Sequence, residues 1–582
     1  MRNKIKYIAM IFVLAFTVSC EKFLEEEPKS LLTAKYLETE DGVMSALYSC
    51  YSDLRLLWGP EAGMVATCAG TDEWQKGPDG NTNFNLYQTG MAADGAISGL
   101  WNWGYTSINT ANAVIKYAPL SGMEEDEAAV IVAEAKFMRA NWYFVIVQTF
   151  GACPLNLEFI SEPSTEAYRD PVQDVYEAIV ADLEEAKQVL PVKQQQFARI
   201  TRAAAYHLLA KVYLTRATQP FADKNSDYQE AYDNAMELIN NKNTYDLELL
   251  QDFETVFKPR NEYNKEVILL VDRNTDILFN SATDPSTSGI TDYRRNMAFF
   301  FFRPNYSSWV PGLVRDIPYG RPWHRQRPTN YLLDLVFQDR IDDTRYDKTF
   351  QTVWLLNDAA GITSPGFSVG DTAVWMPGYE TYRAAKAVAV YPPSQYYGNF
   401  GQTKSIYPSM RKYDDIDRAA IQECSVRPFI VYRFAETYLI AAEAAMYLSM
   451  PAESVALINV VRDRAAYNPN RSTAENILAA QRLRNKVPSM TDVDEGIAFI
   501  LDERSRELCG EYMRWWDLVR TRTGDGTVQL LYRVRNLVTP TNYSDDGHIP
   551  AHLNIQDFHV LRPIPQGQID LTSNEFPQNP GY

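Results

Sequence analysis

Apolar residues recur every three or four positions through several stretches of the chain, which is the period of an amphipathic helix. From Val130 to Phe150 the stripe reads Val130, Ala133, Phe137, Phe144 and Val145, with Asn141 its polar exception, and Gly151 and Pro154 stop it. Asp174 to Leu190 repeats the pattern through Val175, Ile179, Ala186 and Leu190, and Pro191 closes it. Thr201 to Thr215 does so through Ala205, Leu208, Leu209 and Val212, and Tyr228 to Asn240 follows after Pro220. Far downstream, Pro428 to Leu448 carries Phe434, Tyr438, Ala441, Ala445 and Leu448 on one stripe, and Ala452 to Ala466 carries Val455, Ile458 and Val461. Helices of this length, with short breaks and alanine at crossing points, predict packed helix pairs.

Between the two helical blocks, from about Thr244 to Arg427, the period fades. Pro, Gly, Tyr, Trp and Arg dominate, as in Phe302-Arg303-Pro304-Asn305-Tyr306, Tyr319-Gly320-Arg321-Pro322-Trp323 and Tyr391-Pro392-Pro393. So much non-periodic sequence inside a chain is usually functional. The reading is a mainly α fold: a scaffold of helix pairs that resemble tetratricopeptide repeats, with long aromatic-rich loops and a few short strands laid over one face. No strict repeat of about 34 residues aligns, so the repeat is degenerate. The expected organisation is a leader at 1–19, a tether at 20–35, a helical part at 36–243, a loop-rich part at 244–427 that bears much of the ligand face, and a helical part at 428–582. Residues 20–582 are expected to form one compact unit.

The first twenty residues give an address. Arg2, Lys4 and Lys6 precede an apolar run from Tyr7 to Phe16 and the small residues Thr17-Val18-Ser19, the parts of a secretory signal peptide. The cysteine that follows, Cys20, makes the stretch resemble the lipobox of bacterial lipoproteins, with Thr17 where the common pattern has Leu. Its acidic sequel, Glu21 to Pro28, looks like the export tether of surface lipoproteins in Bacteroidetes-type bacteria. Acyl chains contribute about 0.8 kcal/mol per buried methylene, so a lipidated Cys20 holds a soluble body to a membrane its polypeptide never enters.

Charge and composition narrow the classes. Taking Arg2, Lys4 and Lys6 from 56 cations against 74 acids leaves −21, which repels nucleic acid. Aromatic residues make 13 % of the chain, with 36 Tyr the most numerous, enough for a large core and for surfaces that stack on sugar rings. Apart from Cys20, the cysteines Cys50, Cys68, Cys153, Cys424 and Cys509 are odd in number and scattered, without a disulfide framework or metal spacing. His548 and His552 have helical zinc spacing, but Pro550 stands between them. Asp339, Asp342, Asp343 and Asp347 lack the Gly-turn loop of a specific calcium site, and no cofactor is expected. No nucleophile elbow, phosphate loop or dinucleotide fingerprint occurs.

Several stretches in order resemble the SusD/RagB family of outer-membrane lipoproteins. They are Cys20 with Phe23-Leu24; Glu134 to Ala140 running to Phe150-Gly151 and Pro154-Leu155; Arg202 to Ala205 leading to Ala210 to Leu214; Arg433 to Leu439 with Ala442-Glu443-Ala444; Asp502 to Leu508 with Arg514 to Leu518; and Pro563-Ile564-Pro565 ending in Gln578-Asn579-Pro580-Gly581-Tyr582. The match spans nearly the whole mature chain. It implies four tetratricopeptide-like helix pairs, a non-catalytic role in capturing a glycan, and a partner, a SusC-like TonB-dependent transporter in the outer membrane, over which the protein acts as a lid.

Glycan binding needs flat rings and planar polar groups. The candidates are Asp72, Trp74 and Trp101 in the first helical part and Trp309 and Trp323 in the middle loops. From Tyr293 to Arg327 there are seven arginines, Arg294, Arg295, Arg303, Arg315, Arg321, Arg325 and Arg327, against Asp316 alone. That excess predicts an anionic glycan, unless the arginines pair with acids of the scaffold or the transporter. Glu503, Glu507 and Glu511, at four-residue spacing, are expected on one helix face amid arginines. There they point the same way, not across a substrate as a glycosidase requires. A surface glycoside hydrolase and a peptide-binding member of the same scaffold stand as the alternative functions.

Overall fold

The computed structural model describes residues 34–273, 295–383, 385–396, 406–538 and 550–582. Residues 1–33, with the signal segment, Cys20 and most of the tether, lie outside these residues, as do Arg294 and His548.

The predicted helices form where the period placed them. α1 (Glu40–Asp53) and α2 (Gly95–Tyr117) pack together, α3 (Glu125–Phe150) follows with α4 (Val172–Val189), and α5 (Arg202–Arg216) with α6 (Lys224–Asn240). The fourth pair is α7 (Phe434–Tyr447) with α8 (Pro451–Ala465), and α7 lies directly against α6 although residues 241–433 separate them in sequence. Each helix thus packs on its neighbour in the series, the arrangement of a tetratricopeptide-like solenoid. Two helices close the far end, α9 (Thr473–Arg484) against α8 and α10 (Val493–Leu508) against α7; α11 (Arg514–Arg520) follows.

Local chemistry sets the helix ends. Thr39 caps α1 by accepting from the Gly42 amide, Asp94 caps α2 through the Ala96 amide, and Ser472 with Glu475 forms a reciprocal capping box on α9. α3 ends at Gly151, whose φ of 75° is costly for other residues. From Phe137 to Phe150 every residue of α3 is buried, so this is the central helix of the scaffold. Within this buried stretch Arg139 donates to Asp182 of α4 at 2.8 and 2.7 Å and to Asn112 Oδ1 of α2 at 2.8 Å.

The start of the fourth pair differs from the expected helix from Pro428. Phe429–Arg433 is instead a strand, all five residues buried, paired antiparallel with Val267–Val271. The run Phe-Ile-Val-Tyr-Arg has the aromatic and β-branched content that favours a pleated, enclosed segment, and Phe434 then begins α7.

The middle of the chain consists of loops and short strands. β1 (Trp74–Lys76) pairs with β3 (Gln326–Pro328), β2 (Val267–Val271) with β9 (Phe429–Arg433), and β4 (Phe350–Gln351) with β8 (Ser409–Met410). β5 (Val353–Leu355), β6 (Thr372–Trp375) and β7 (Ala389–Val390) form one three-stranded sheet, antiparallel then parallel.

Buried charge fastens the loops to the scaffold. Glu507 of α10 accepts from Arg345 of the loop region at 3.0 Å, from Arg433 of β9 at 2.5 Å and from Arg464 of α8. Arg433 also reaches Glu266 at 2.9 Å and Glu511 at 2.8 Å. Glu503 and Glu507 share α10 as expected, whereas Glu511 lies beyond its end, because α10 stops at Leu508. The chain end is docked as well. Asn579 donates to Phe150 O at 2.9 Å and Arg562 O at 2.8 Å, and accepts from Arg169 at 2.6 Å. Among the described residues, no helix is long and apolar enough to cross a membrane.

Candidate functional site

Three of the five expected glycan-binding residues are buried. Asp72 is fully enclosed and accepts from Arg514 at 2.8 and 2.6 Å and from Arg533 at 3.0 Å. Burial pushes its carboxyl up, and the two guanidinium groups more than offset this and hold it below the usual range. Trp74, fully buried, packs its ring 4.4 Å from that of Phe302. It opens β1, whose pairing with residues 326–328 carries the indole inward. Trp101, 2 % exposed, donates from Nε1 to Gln568 Oε1 at 3.0 Å and meets Phe150 edge-on at 5.1 Å. These three groups hold the N-terminal part, the loops and the C-terminal segment together in a region no sugar reaches.

Trp309 and Trp323 remain partly exposed on the loops. Trp309 follows a short turn of helix, Tyr306–Ser308. Its ring stands edge-on to Trp354 of β5 at 4.9 Å and to Tyr391 at 6.0 Å. Trp354 is fully buried, so the small sheet gives Trp309 a rigid floor, and its Nε1 finds no acceptor among the described residues. Trp323 stacks on Phe300 at 5.2 Å and 27°. The guanidinium groups of Arg325 and Arg321 lie 5.1 and 5.8 Å from its ring centre, so cations already surround it.

The arginine-rich stretch does not form one positive patch. Arg295, Arg303 and Arg327 are buried. Arg303 pairs with Asp414, and Arg325 pairs with Glu61 at 2.8 Å. Arg321 donates to Gln422 at 2.7 Å, which leaves Arg315 as an exposed member, 3.4 Å from Ser307. Part of the local charge excess is thus taken up by acids of the scaffold, the alternative that the sequence left open.

Beside the sheet opens a cavity of about 410 Å³, bounded by the 331–340 segment, residues 378–380 and residues 393–396. The segment begins with a π-helical turn, Tyr331–Val336, a geometry that recurs at functional places. Arg340 fixes the two sides, donating to Phe337 O at 3.0 Å, to Leu333 O at 2.5 Å and to Gly378 O. Gly378, at φ 76°, is required here, since a Cβ would sit 2.2 Å from Arg340 Nη1. Glu380 accepts from the Ser394 amide at 2.6 Å and its hydroxyl at 2.9 Å. Asp334 is exposed at the rim; partial burial and the neighbouring Glu380 push its carboxyl up against the pull of Arg340.

The Tyr379 ring borders this opening, and further rings follow it in sequence. Tyr379 is 40 % exposed, and Tyr382, 39 % exposed, meets Trp375 edge-on at 5.4 Å. Tyr391, the neighbour of Trp309, leads directly into the 393–396 wall. Rings, carboxylate acceptors and amides are the groups that hold sugar hydroxyls and their apolar faces. Arg340 has given its donors to backbone carbonyls and its face to Tyr346, 3.9 Å away, and Tyr379, 5.3 Å away, so it cannot clamp an acidic group.

Asp334, Arg340, Tyr379, Glu380 and Tyr391 were missed in the sequence, where the signal was only Tyr next to Gly or Pro in a non-periodic stretch. Three of the four aspartates considered for calcium are occupied. Asp342 accepts from Arg482 at 2.7 Å, Asp343 from Arg345 at 2.6 Å and Asp339 from Lys486. Among the described residues no three His, Cys, Asp or Glu side chains converge as a metal site. Glu503, Glu507 and Glu511 are buried and each is paired with arginine or lysine.

Known proteins share this architecture. A family model described as the SusD family matches residues 275–582, and one described as starch-binding associating with outer membrane matches residues 23–214. A SusD-like protein of Formosa agariphila is 27 % identical over 602 aligned residues and covers 100 % of both chains. Among solved structures, a SusD homolog from Bacteroides thetaiotaomicron superposes with a TM-score of 0.66 at 20 % identity, covering 94 % of this chain and 98 % of that one. A protein described as a laminarin binding SusD-like protein gives 0.62 at 22 %, covering 94 % and 100 %. With a family model across more than half of its length and the same helical scaffold, the chain belongs to the SusD family.

Proposed function

We propose that the protein is a cell-surface glycan-binding lipoprotein, anchored to the outer membrane through an acylated Cys20, that captures an oligosaccharide and passes it to a TonB-dependent transporter without cleaving it. The observation that carries this reading is the aromatic loop face itself. Trp309 stands on a floor formed by buried Trp354 and meets Tyr391, which leads in sequence to Pro393 in the wall of a cavity edged by Tyr379, Asp334 and Glu380. Relatives support it by what their descriptions say of them: one solved neighbour binds laminarin, and others are surface glycan-binding proteins of Bacteroides fluxus and Bacteroides uniformis. With Arg340 spent on the backbone, this face suits neutral sugars.

Against a hydrolase stands the burial of Glu503, Glu507 and Glu511, whose oxygens are taken up by cations. The test is isothermal titration of the detergent-solubilised full chain against a panel of neutral and acidic oligosaccharides, with a reducing-end assay on the same mixtures. Saturable binding without new reducing ends is expected. Release of reducing ends, or affinity for extended peptides alone, would contradict the reading.

A further inference from the structure

The 331–340 segment separates two openings. On the side away from Tyr379 lies a second cavity, of about 390 Å³, whose lining includes Val336, Gln338, Asp339, Arg462, Phe499 and Arg506; Gln338 borders both cavities. Charge is not matched donor for donor here. Arg462 and Arg506 share one acceptor, Glu503 Oε2, at 2.7 and 2.9 Å, while Oε1 of the same group serves Arg345 at 2.7 Å.

Arg462 gives Nε to Leu483 O at 3.2 Å, and its Nη2 has no hydrogen bond among the described residues. Arg506, only 9 % exposed, gives Nη1 to Val336 O at 3.1 Å, and its buried Nη2 also lacks an acceptor among the described residues. The carboxylates at the cavity do not fill this gap, since Asp343 is held by Arg345 at 2.9 and 2.6 Å and Asp339 by Lys486. The partly buried Phe499 ring lies 5.5 and 5.4 Å from the two guanidinium carbons.

Unmatched guanidinium donors suit a carboxylate, and a flat ring beside them suits the apolar face of a sugar. A cavity of this volume has room for a small ligand. We propose that this second cavity is a binding site for a uronic acid residue, with its carboxylate taken by Arg462 and Arg506 and its ring laid against Phe499. The site is separate from the loop-face cavity, with which it shares Gln338 but none of Asp334, Arg340, Tyr379 or Glu380.

Free carboxylates share part of this chemistry, so the test must separate them. Isothermal titration of the detergent-solubilised full chain with glucuronate, glucose and acetate should show glucuronate binding at least roughly tenfold tighter than either control. Gln338→Glu places a negative charge at the exposed mouth without touching the buried arginines. It should weaken glucuronate by about fivefold or more with an unchanged melting temperature. Arg462→Gln removes one guanidinium and should also weaken glucuronate. The proposal is overturned if glucuronate does not bind, if glucose or acetate binds as tightly, or if affinity survives in Gln338→Glu.

Discussion

Glu73 shows how burial writes a pH dependence into this fold. It lies beside Asp72, fully buried, with the Gly510 amide at 3.4 Å, Arg514 at 3.6 Å and the Ser505 side chain near its oxygens. Burial pushes its carboxyl up to about 7 against the pull of Arg514, and Asp72 adds to the push. The folded protein therefore holds a proton that the unfolded chain releases near its ordinary 4.5, and stability falls as pH rises from there to about 7. Glu73→Gln should remove that slope and stabilise the protein at pH 8 by roughly 1–3 kcal/mol, with little gain at pH 5. Thermal melts at the two pH values check this; equal destabilisation at both would contradict it. Asp72, one residue away, has the opposite sign, because two arginines outweigh its burial.

The helices and the loops were not equally legible. α3, α4, α5 and α6 follow from local periodicity, since the apolar stripe that makes each helix also names the face it buries. Phe429–Arg433 was misread because its strand partner, Val267–Val271, lies far away in sequence. Trp74 went inward for a similar reason: a three-residue strand means nothing until residues 326–328 pair with it. Arg303 looked like ligand-binding charge until the fold brought Asp414 to it. The π-helical turn at Tyr331–Val336 and the carbonyl cradle around Arg340 had no sequence signal, yet they shape both cavities. Periodic elements are local decisions, whereas a binding face assembled from loops depends on which distant segments meet.

Across the whole molecule, buried ion pairs join the two helical blocks and the loops that lie between them. Glu507 is the meeting point, with Arg345, Arg433 and Arg464 holding its carboxylate far below the usual range despite complete burial. Its folded pKa is depressed, so its stabilisation is present above about pH 4.5 and lost as the solution becomes more acid. Glu507→Gln leaves three buried guanidinium groups short of a counter-charge and should cost about 3–5 kcal/mol. Denaturant unfolding at pH 7 measures it, and a loss under about 1 kcal/mol would show that the network is not what binds the loops down. Such a rigid base allows a few exposed rings to act as a preformed binding face. The most direct measurement of that claim is titration of the tightest-binding neutral oligosaccharide into wild-type and Trp309→Ala protein. The predicted result is a loss of about tenfold or more in affinity, the size expected when a stacking ring is removed, with the melting temperature held. Unchanged affinity in a folded Trp309→Ala variant would contradict the account.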